Sequence, residues 1–230
     1  MIIQSTPIEF FDGFSVWEIG SDRAMEITRF VFEVYFDLFS KKYEWEGEYE
    51  KMVLDDQATM VNSTIYAALS REEDLLATIR IIRKSEQELP IEKDFDLNVL
   101  EICREKNIHP NRVFEIGRLA KHPVRIKKAG ILGRQKLAIV DELIAQMVYV
   151  CSQENGNIWV ASIDVDVLML LRSRGFHFSP IGKTNGDYLG SPTTPVILSI
   201  DQCRNDIRDL NTERYIKYFK PGVETVSYSS

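Results

Sequence analysis

The sequence predicts an α/β (α+β) fold in one domain, and three observations carry that expectation. Segments of helical and strand periodicity alternate through residues 22–200. With 230 residues, 44% of them hydrophobic, the chain can bury one substantial core, and no linker divides it, so residues 1–230 read as one domain. Finally, an apolar strand starting at Val113 ends in EIGRLAKHP, meets a basic, glycine-punctuated turn, RIKKAGILGR, and passes into a long amphipathic helix.

Each element follows from local pattern. Ile27, Phe30, Val31, Val34, Phe36 and Leu38 recur at mostly helical spacing over residues 22–40, behind a Ser21-Asp22 cap. Strands are expected over Thr64–Leu69 and Leu75–Ile82, joined as a hairpin by the charged turn Ser70–Asp74, which reads as too polar to bury. A short helix over Leu97–Lys106 stops at Asn107, before His109-Pro110. After the Val113 strand, Leu137, Val140, Leu143, Ile144, Met147 and Val148 mark one face of a helix that Asn155-Gly156-Asn157 stops. Ile158–Ile163 is a continuous apolar run, a strand buried on both faces, and Val165–Arg174 is helical and leads into Gly175-Phe176. Pro192 and Pro195 flank a break before the last strand, Val196–Ile200. The tail 204–230 reads as helical to Tyr218 and frayed over 226–230.

Composition removes several function classes. A net charge of −7 disfavours general nucleic-acid binding, which needs a positive footprint. No run approaches the ~20 apolar residues of a membrane span, and MIIQSTPIEFF lacks the basic start and apolar core of an export signal, so a cytoplasmic location is expected. Cys103, Cys151 and Cys203 are odd in number and widely spaced, which argues against a disulfide framework. Neither they nor His109, His122 and His177 have metal-ligand spacing, so no metal is assigned. The histidines lie in a turn, a loop and past a helix end, and surface roles are expected for them.

The strand–turn–helix unit suits an anion. Amides in a helix's first turn lack intrahelical partners and the dipole is positive there. Gly130 and Gly133 let the backbone approach closely, Arg125, Lys127, Lys128 and Arg134 supply charge, and Ile131 and Leu132 lie between the glycines. The plainer alternative is a solvated turn that caps a helix.

The segment LAKHP, the basic turn and GILGRQKLAIVDELI together resemble the signature of the GNAT acyltransferase superfamily. Within it, Thr78-Ile79-Arg80-Ile81-Ile82, the Leu89-Pro90 pair and Glu115-Ile116-Gly117-Arg118 resemble the pattern shared by acyl-homoserine-lactone (autoinducer) synthases and N-acyl amino acid synthases. Trp45 and Glu46, then Asp55-Asp56, with Arg83-Lys84 where the lactone synthases carry Pro-Thr, favour the second group. This resemblance implies a GNAT-like domain, core 22–200, built on a mixed, mostly antiparallel twisted sheet flanked by helices, with a V-shaped cleft between the fourth and fifth strands.

It also implies transfer of a medium or long acyl chain to the amine of an amino acid. The donor is acyl carrier protein (acyl-ACP) or coenzyme A (acyl-CoA), used as a co-substrate, with no tightly bound cofactor. The acyl-pantetheine arm would bond to backbone beside Leu119, Ala120 and Lys121. The basic turn is the candidate patch for the acidic carrier, with Arg80, Arg83 and Lys84 a second. The alternatives are a homoserine-lactone-type signal synthase and a non-catalytic module that binds acyl thioesters.

Aminolysis needs a neutral amine, a polarised carbonyl and a proton for the departing thiolate. Glu115 is the candidate base, with Arg118 and Arg80 beside it; the alternative is that these three form a buried structural ion cluster. Strict alternation would put Glu115 and Arg118 on opposite faces of the strand, and a bulge at Gly117 would bring them to the same one. Tyr188 is placed either to protonate the thiolate or to shape the acceptor pocket. Trp159 and Phe176 read as core residues that could line an acyl tunnel.

Overall fold

The computed structural model describes residues 4–39 and 46–219. Trp45 and the 226–230 tail lie outside them. The described elements are β1 (Thr6–Phe10), β2 (Phe14–Ile19), α1 (Ala24–Phe39), α2 (Glu48–Thr59), β3 (Ser63–Ser70), β4 (Leu75–Arg83), α3 (Pro90–Phe95), α4 (Val99–Glu105) and β5 (Val113–Lys121). Beyond these come α5 (Pro123–Lys128), α6 (Gln135–Cys151), β6 (Ile158–Asp164), α7 (Val165–Arg172), β7 (Ser179–Pro180), β8 (Asn185–Tyr188), β9 (Ser191–Ser199), α8 (Ile200–Leu210) and α9 (Thr212–Phe219).

The strands form one mixed sheet in the order β1-β2-β3-β4-β5-β6-β9-β7, with β8 also on β9. Every pairing is antiparallel except β5 with β6. Alternation along the strands divides the core into two faces. On one, Phe114, Trp159 and Leu198 pack with Ile139, Leu143 and Val148 of α6 and with Cys203, Ile207 and Tyr218 of α8 and α9. On the other, Ile65 and Ala67 meet Ile27, Phe30 and Val31 of α1, while Val113 and Val160 meet Ile91 and Val99 of α3 and α4.

Several details depart from the sequence expectations. An N-terminal hairpin, β1–β2, precedes the strands expected from sequence, and the cleft, expected between the fourth and fifth strands, lies between the fifth and sixth in chain order. All five β1 residues are exposed, which leaves no alternation to detect. Along α6 the stripe is carried by Ile139 rather than Leu137, which is 55% exposed. Ser70 is buried after all, its hydroxyl accepting from the Glu72 and Asp74 amides. Strand β9 runs through both prolines instead of breaking at them. Pro195 turns its carbonyl to the Ile181 N–H at 2.9 Å, on the β7 side, so its missing donor falls where that short strand ends and not in the β6 ladder.

Candidate active site

Strands β5 and β6 pair only from Val113–Ile116 with Ile158–Ala161. Beyond that they part, β5 continuing along β4 to Lys121 opposite Ala77 and β6 along β9 to Asp164 opposite Thr193. The gap opens into a cleft of about 740 Å³. Gly117–Lys121 form one wall and Ser162–Asp164 the other, and Ile79, Ile144, Met147, Phe176 and Phe178 make an apolar floor. Phe176 therefore lines the cleft, whereas fully buried Trp159 does not.

A bulge interrupts β5 at the cleft's inner end. Thr78 pairs with Ala120 and Arg80 with Gly117, so Arg118 and Leu119 together face Ile79 alone. Arg118 takes a φ of 53°, a left-handed conformation that costs an arginine on the order of 1–3 kcal/mol. The Thr78 hydroxyl, donating to the Arg118 carbonyl at 2.9 Å, helps hold it there. The extra residue brings Arg118 to the side of Glu115, and both line a second, polar pocket of about 270 Å³. Arg80 and Tyr188 line it as well, so the four candidate catalytic residues converge on one pocket. Gly117, Arg118, Ser162 and Tyr188 border both cavities, which meet at the bulge.

The ion cluster in this pocket is not the one expected. Asp56, on α2, is the carboxylate that pairs with both arginines: Arg118 at 2.8 Å and Arg80 through Nη1. The Thr28 hydroxyl also donates to Asp56, at 2.8 Å. Burial alone would push the Asp56 carboxyl up, but the two guanidiniums outweigh it and hold it below the ordinary carboxylate range. Glu115 stands apart from this salt bridge. Its Oε2 accepts the Ile91 amide at 3.1 Å, and burial raises its pKa to about 7 against the pull of that hydrogen bond and of Arg80. Across the pocket the Tyr188 hydroxyl donates to Asp94 Oδ2 at 2.6 Å, and burial together with Asp94 keeps the phenol protonated well past its usual range.

Sequence reasoning did not single out Asp56 as the anchor, nor Asp94 or Tyr35, which borders both cavities. The buried positions of α2 are Met52, Asp56 and Thr59, a helical spacing filled mostly by polar groups, so hydrophobic patterning is blind to it. The adjacent Asp55-Asp56 pair was the available signal.

The donor residues are spread differently. Leu119, Ala120 and Lys121 line the cleft. The basic turn is shorter than the sequence suggested, because Pro123, with its φ preset, starts helix α5 and only residues 129–134 remain as loop. Arg125 sits on α5, paired with Glu33 at 2.7 Å and stacked over Phe30, away from that loop. Lys128 is exposed at the end of α5, and Leu132 and Arg134 are exposed in the loop. Ile131 is 1% exposed, so its side chain belongs to the core. Gly130 and Gly133 have φ of 73° and 56°, and a Cβ at either would meet open space. The Gly130, Ile131 and Gln135 amides are spent on the Lys127, Ile126 and Leu132 carbonyls, so the loop amides that remain for an anion are those of Leu132, Gly133 and Arg134.

Of the second basic patch, Arg80 is buried and Lys84 is tied to Glu92 at 2.7 Å in a mostly buried pair. Neither is available to a partner's surface. His122 is not a free surface group either: it precedes α5 and packs near the Phe30 ring.

The sheet splits over an apolar cleft with a polar pocket at its inner end, a GNAT-type frame, and it is the family the chain belongs to that makes it an acyltransferase. The family model described as N-acyl amino acid synthase FeeM matches residues 35–156, more than half of the chain. The chain belongs to that family. Among solved structures, FeeM from uncultured soil microbes superposes with a TM-score of 0.57 at 13% identity, over 87% of this chain and 95% of that one. TofI, in a ternary complex with an inhibitor and MTA, gives a TM-score of 0.54 at 14% identity over 92% and 100%. A GNAT-family acetyltransferase from Staphylococcus aureus Mu50 gives 0.52 at 11% identity over 81% and 99%. At such identities these likenesses establish the fold. No curated protein matches the chain in sequence. Among the described residues no helix is long and apolar enough to cross a membrane.

Proposed function

We propose that the protein joins a medium or long acyl chain, delivered as a pantetheine thioester on acyl carrier protein or coenzyme A, to the amine of an amino acid by direct aminolysis. The observation that carries this reading is the meeting of two unlike cavities at the β5 bulge. One is apolar and within the size range of ligand sites, about 300–1,000 Å³. The other is polar and holds a carboxyl that titrates at about 7.

In this reading the thioester lies along β5 at Leu119–Lys121, its acyl chain on the apolar floor and its phosphates at the 129–134 loop. Glu115, whose pKa burial raises to about 7, accepts a proton from the incoming ammonium. The neutral amine attacks the thioester carbonyl, polarised by a β5 backbone amide; the C–N bond forms and the C–S bond breaks. Tyr188 hands its proton to the departing sulfur and takes the nitrogen's second proton in its place, so the donor leaves as the thiol and the phenol ends as it began. Arg118 and Arg80, locked by Asp56, fix the pocket's shape and charge. Lys127 and Lys128, beside the exposed Val124 and Leu132, offer an acidic carrier a basic and apolar contact.

The test is incubation of the purified protein with acyl-carrier-protein and acyl-coenzyme A donors and a panel of amino acids, following N-acyl product by mass spectrometry and free thiol by colour. Equal amounts of amide and thiol are expected. Thiol release without amide, or no turnover on any donor, refutes the reading.

A further inference from the structure

The polar pocket carries its charges in two separate groups. Its inner end is buried: Arg80 and Arg118 share the single carboxylate of Asp56, so two cations face one anion. Arg80 is 4% exposed, lines the cavity, and its Nε has no protein partner among the described residues. A buried donor without an acceptor is costly, and the guanidinium that carries it borders the cavity, where a ligand's anionic oxygen can meet its charge. The outer end is of opposite sign. Among the described residues Asp55, Asp94 and Asp187 line it against Lys51, an excess of two negative charges, with Glu48 at the same rim. Asp187 and Lys51 are exposed and the other three half-buried, so this end is the mouth.

A ligand that complements both ends needs an anionic group inside and a cationic group outside. With the inner arginines taking a carboxylate, the α-nitrogen of an amino acid falls in the same pocket as Glu115. A neutral side chain would leave the acidic mouth unmatched, and an acidic one would be repelled by it. At about 270 Å³ the pocket has room for a single amino acid.

The geometry points to an acceptor that is an α-amino acid with a cationic side chain, of the lysine, ornithine or arginine type. Its carboxylate lies at Arg80 and Arg118, its α-nitrogen at Glu115, and its distal cation among Asp55, Asp94 and Asp187. This rests on the aminolysis reading above. The product is the α-N-acyl basic amino acid: the α-ammonium gives one proton to Glu115 before attack and a second to the departing sulfur as the C–N bond forms and the C–S bond breaks, so the donor leaves as the thiol.

The test pairs lysine with two analogues that each lack one charge, norleucine and cadaverine. Calorimetry on the full chain, without donor, is expected to show lysine binding about tenfold or more tighter than either, the reach of one charge-assisted contact. Asp187→Asn, at an exposed position that leaves the fold intact, is expected to narrow the lysine-to-norleucine ratio about two- to fivefold, as for a solvated ion pair. Norleucine binding as well as lysine overturns the cationic mouth, and cadaverine binding as well as lysine overturns the carboxylate seat. The turnover arm is separate. Lysine that binds selectively but yields no amide with any donor supports the pocket assignment and refutes acyl transfer, whereas equal acylation of lysine and norleucine refutes this inference and leaves acyl transfer standing.

Discussion

Replacing Glu115 by glutamine separates what this carboxyl does for the fold from what it does for the reaction. In the folded chain it holds its proton to about pH 7, where a free glutamate lets go near 4.5. The sign follows directly. Between those two values the folded state binds more protons than the unfolded one, so the stability due to this group falls as pH rises through the window and is level above it. Once ionised, the buried carboxylate costs on the order of 3 kcal/mol. A glutamine at this position would keep an oxygen for the Ile91 amide and carry no charge. Glu115→Gln is therefore expected to match the wild type at pH 4.5 and to be more stable above pH 7, by up to about 3 kcal/mol. Turnover near neutrality should fall about 10²–10⁴-fold and recover in part at higher pH, where more amine arrives neutral. Chemical denaturation at pH 5 and 8 beside a pH–rate profile reads both quantities. A variant less stable than wild type at pH 8, with unchanged turnover per folded molecule, would show that the ionised carboxylate anchors the arginines and would refute the argument.

Asp56→Asn strips both guanidiniums of their shared counter-charge and is expected to destabilise the fold by about 3–5 kcal/mol, read from a denaturant midpoint. Met147→Trp fills the apolar floor; in a competition among donors of different length, mass spectrometry should show products shifted to shorter chains, with an unchanged distribution arguing that the acyl group lies elsewhere. Gly133→Asp puts a carboxylate beside the loop amides left free for an anion and should weaken acyl-coenzyme A binding in a folded protein, as followed by calorimetry. Charge reversal at Lys127 and Lys128 should slow turnover with the carrier-protein donor more than with acyl-coenzyme A, and rising salt should do the same to the wild type.

The elements read correctly from sequence are those in which packing dictates residue type. The β3–β4 hairpin, the apolar run of β6 and the core of α6 bury side chains at strand or helix spacing, and hydrophobic period reveals them. Helix α2 turns Asp56 and Thr59 inward, and β1 buries nothing, so neither leaves such a trace. That Glu115, Arg118 and Arg80 share one pocket was legible because their family pattern is short and local. Asp56 and Asp94 were not: each meets its partner only through the tertiary fold, 24 residues from Arg80 in one case and 94 from Tyr188 in the other. The bulge could be argued in advance from the need to place two side chains on one face. Its left-handed residue could not, since it falls on Arg118 and the neighbouring glycine, the conformationally obvious choice, is spared.

That single surplus residue makes β5 sensitive to length in a way that its composition hides. Removing Leu119 would alter no charged group of the pocket and no residue of the cleft floor, yet it would restore plain alternation and send the guanidinium of Arg118 through to the other side of the sheet. An alignment that closes this position with a gap would match every neighbouring letter and describe a different catalyst. What this strand must hand down between descendants is therefore a count as much as a set of side chains.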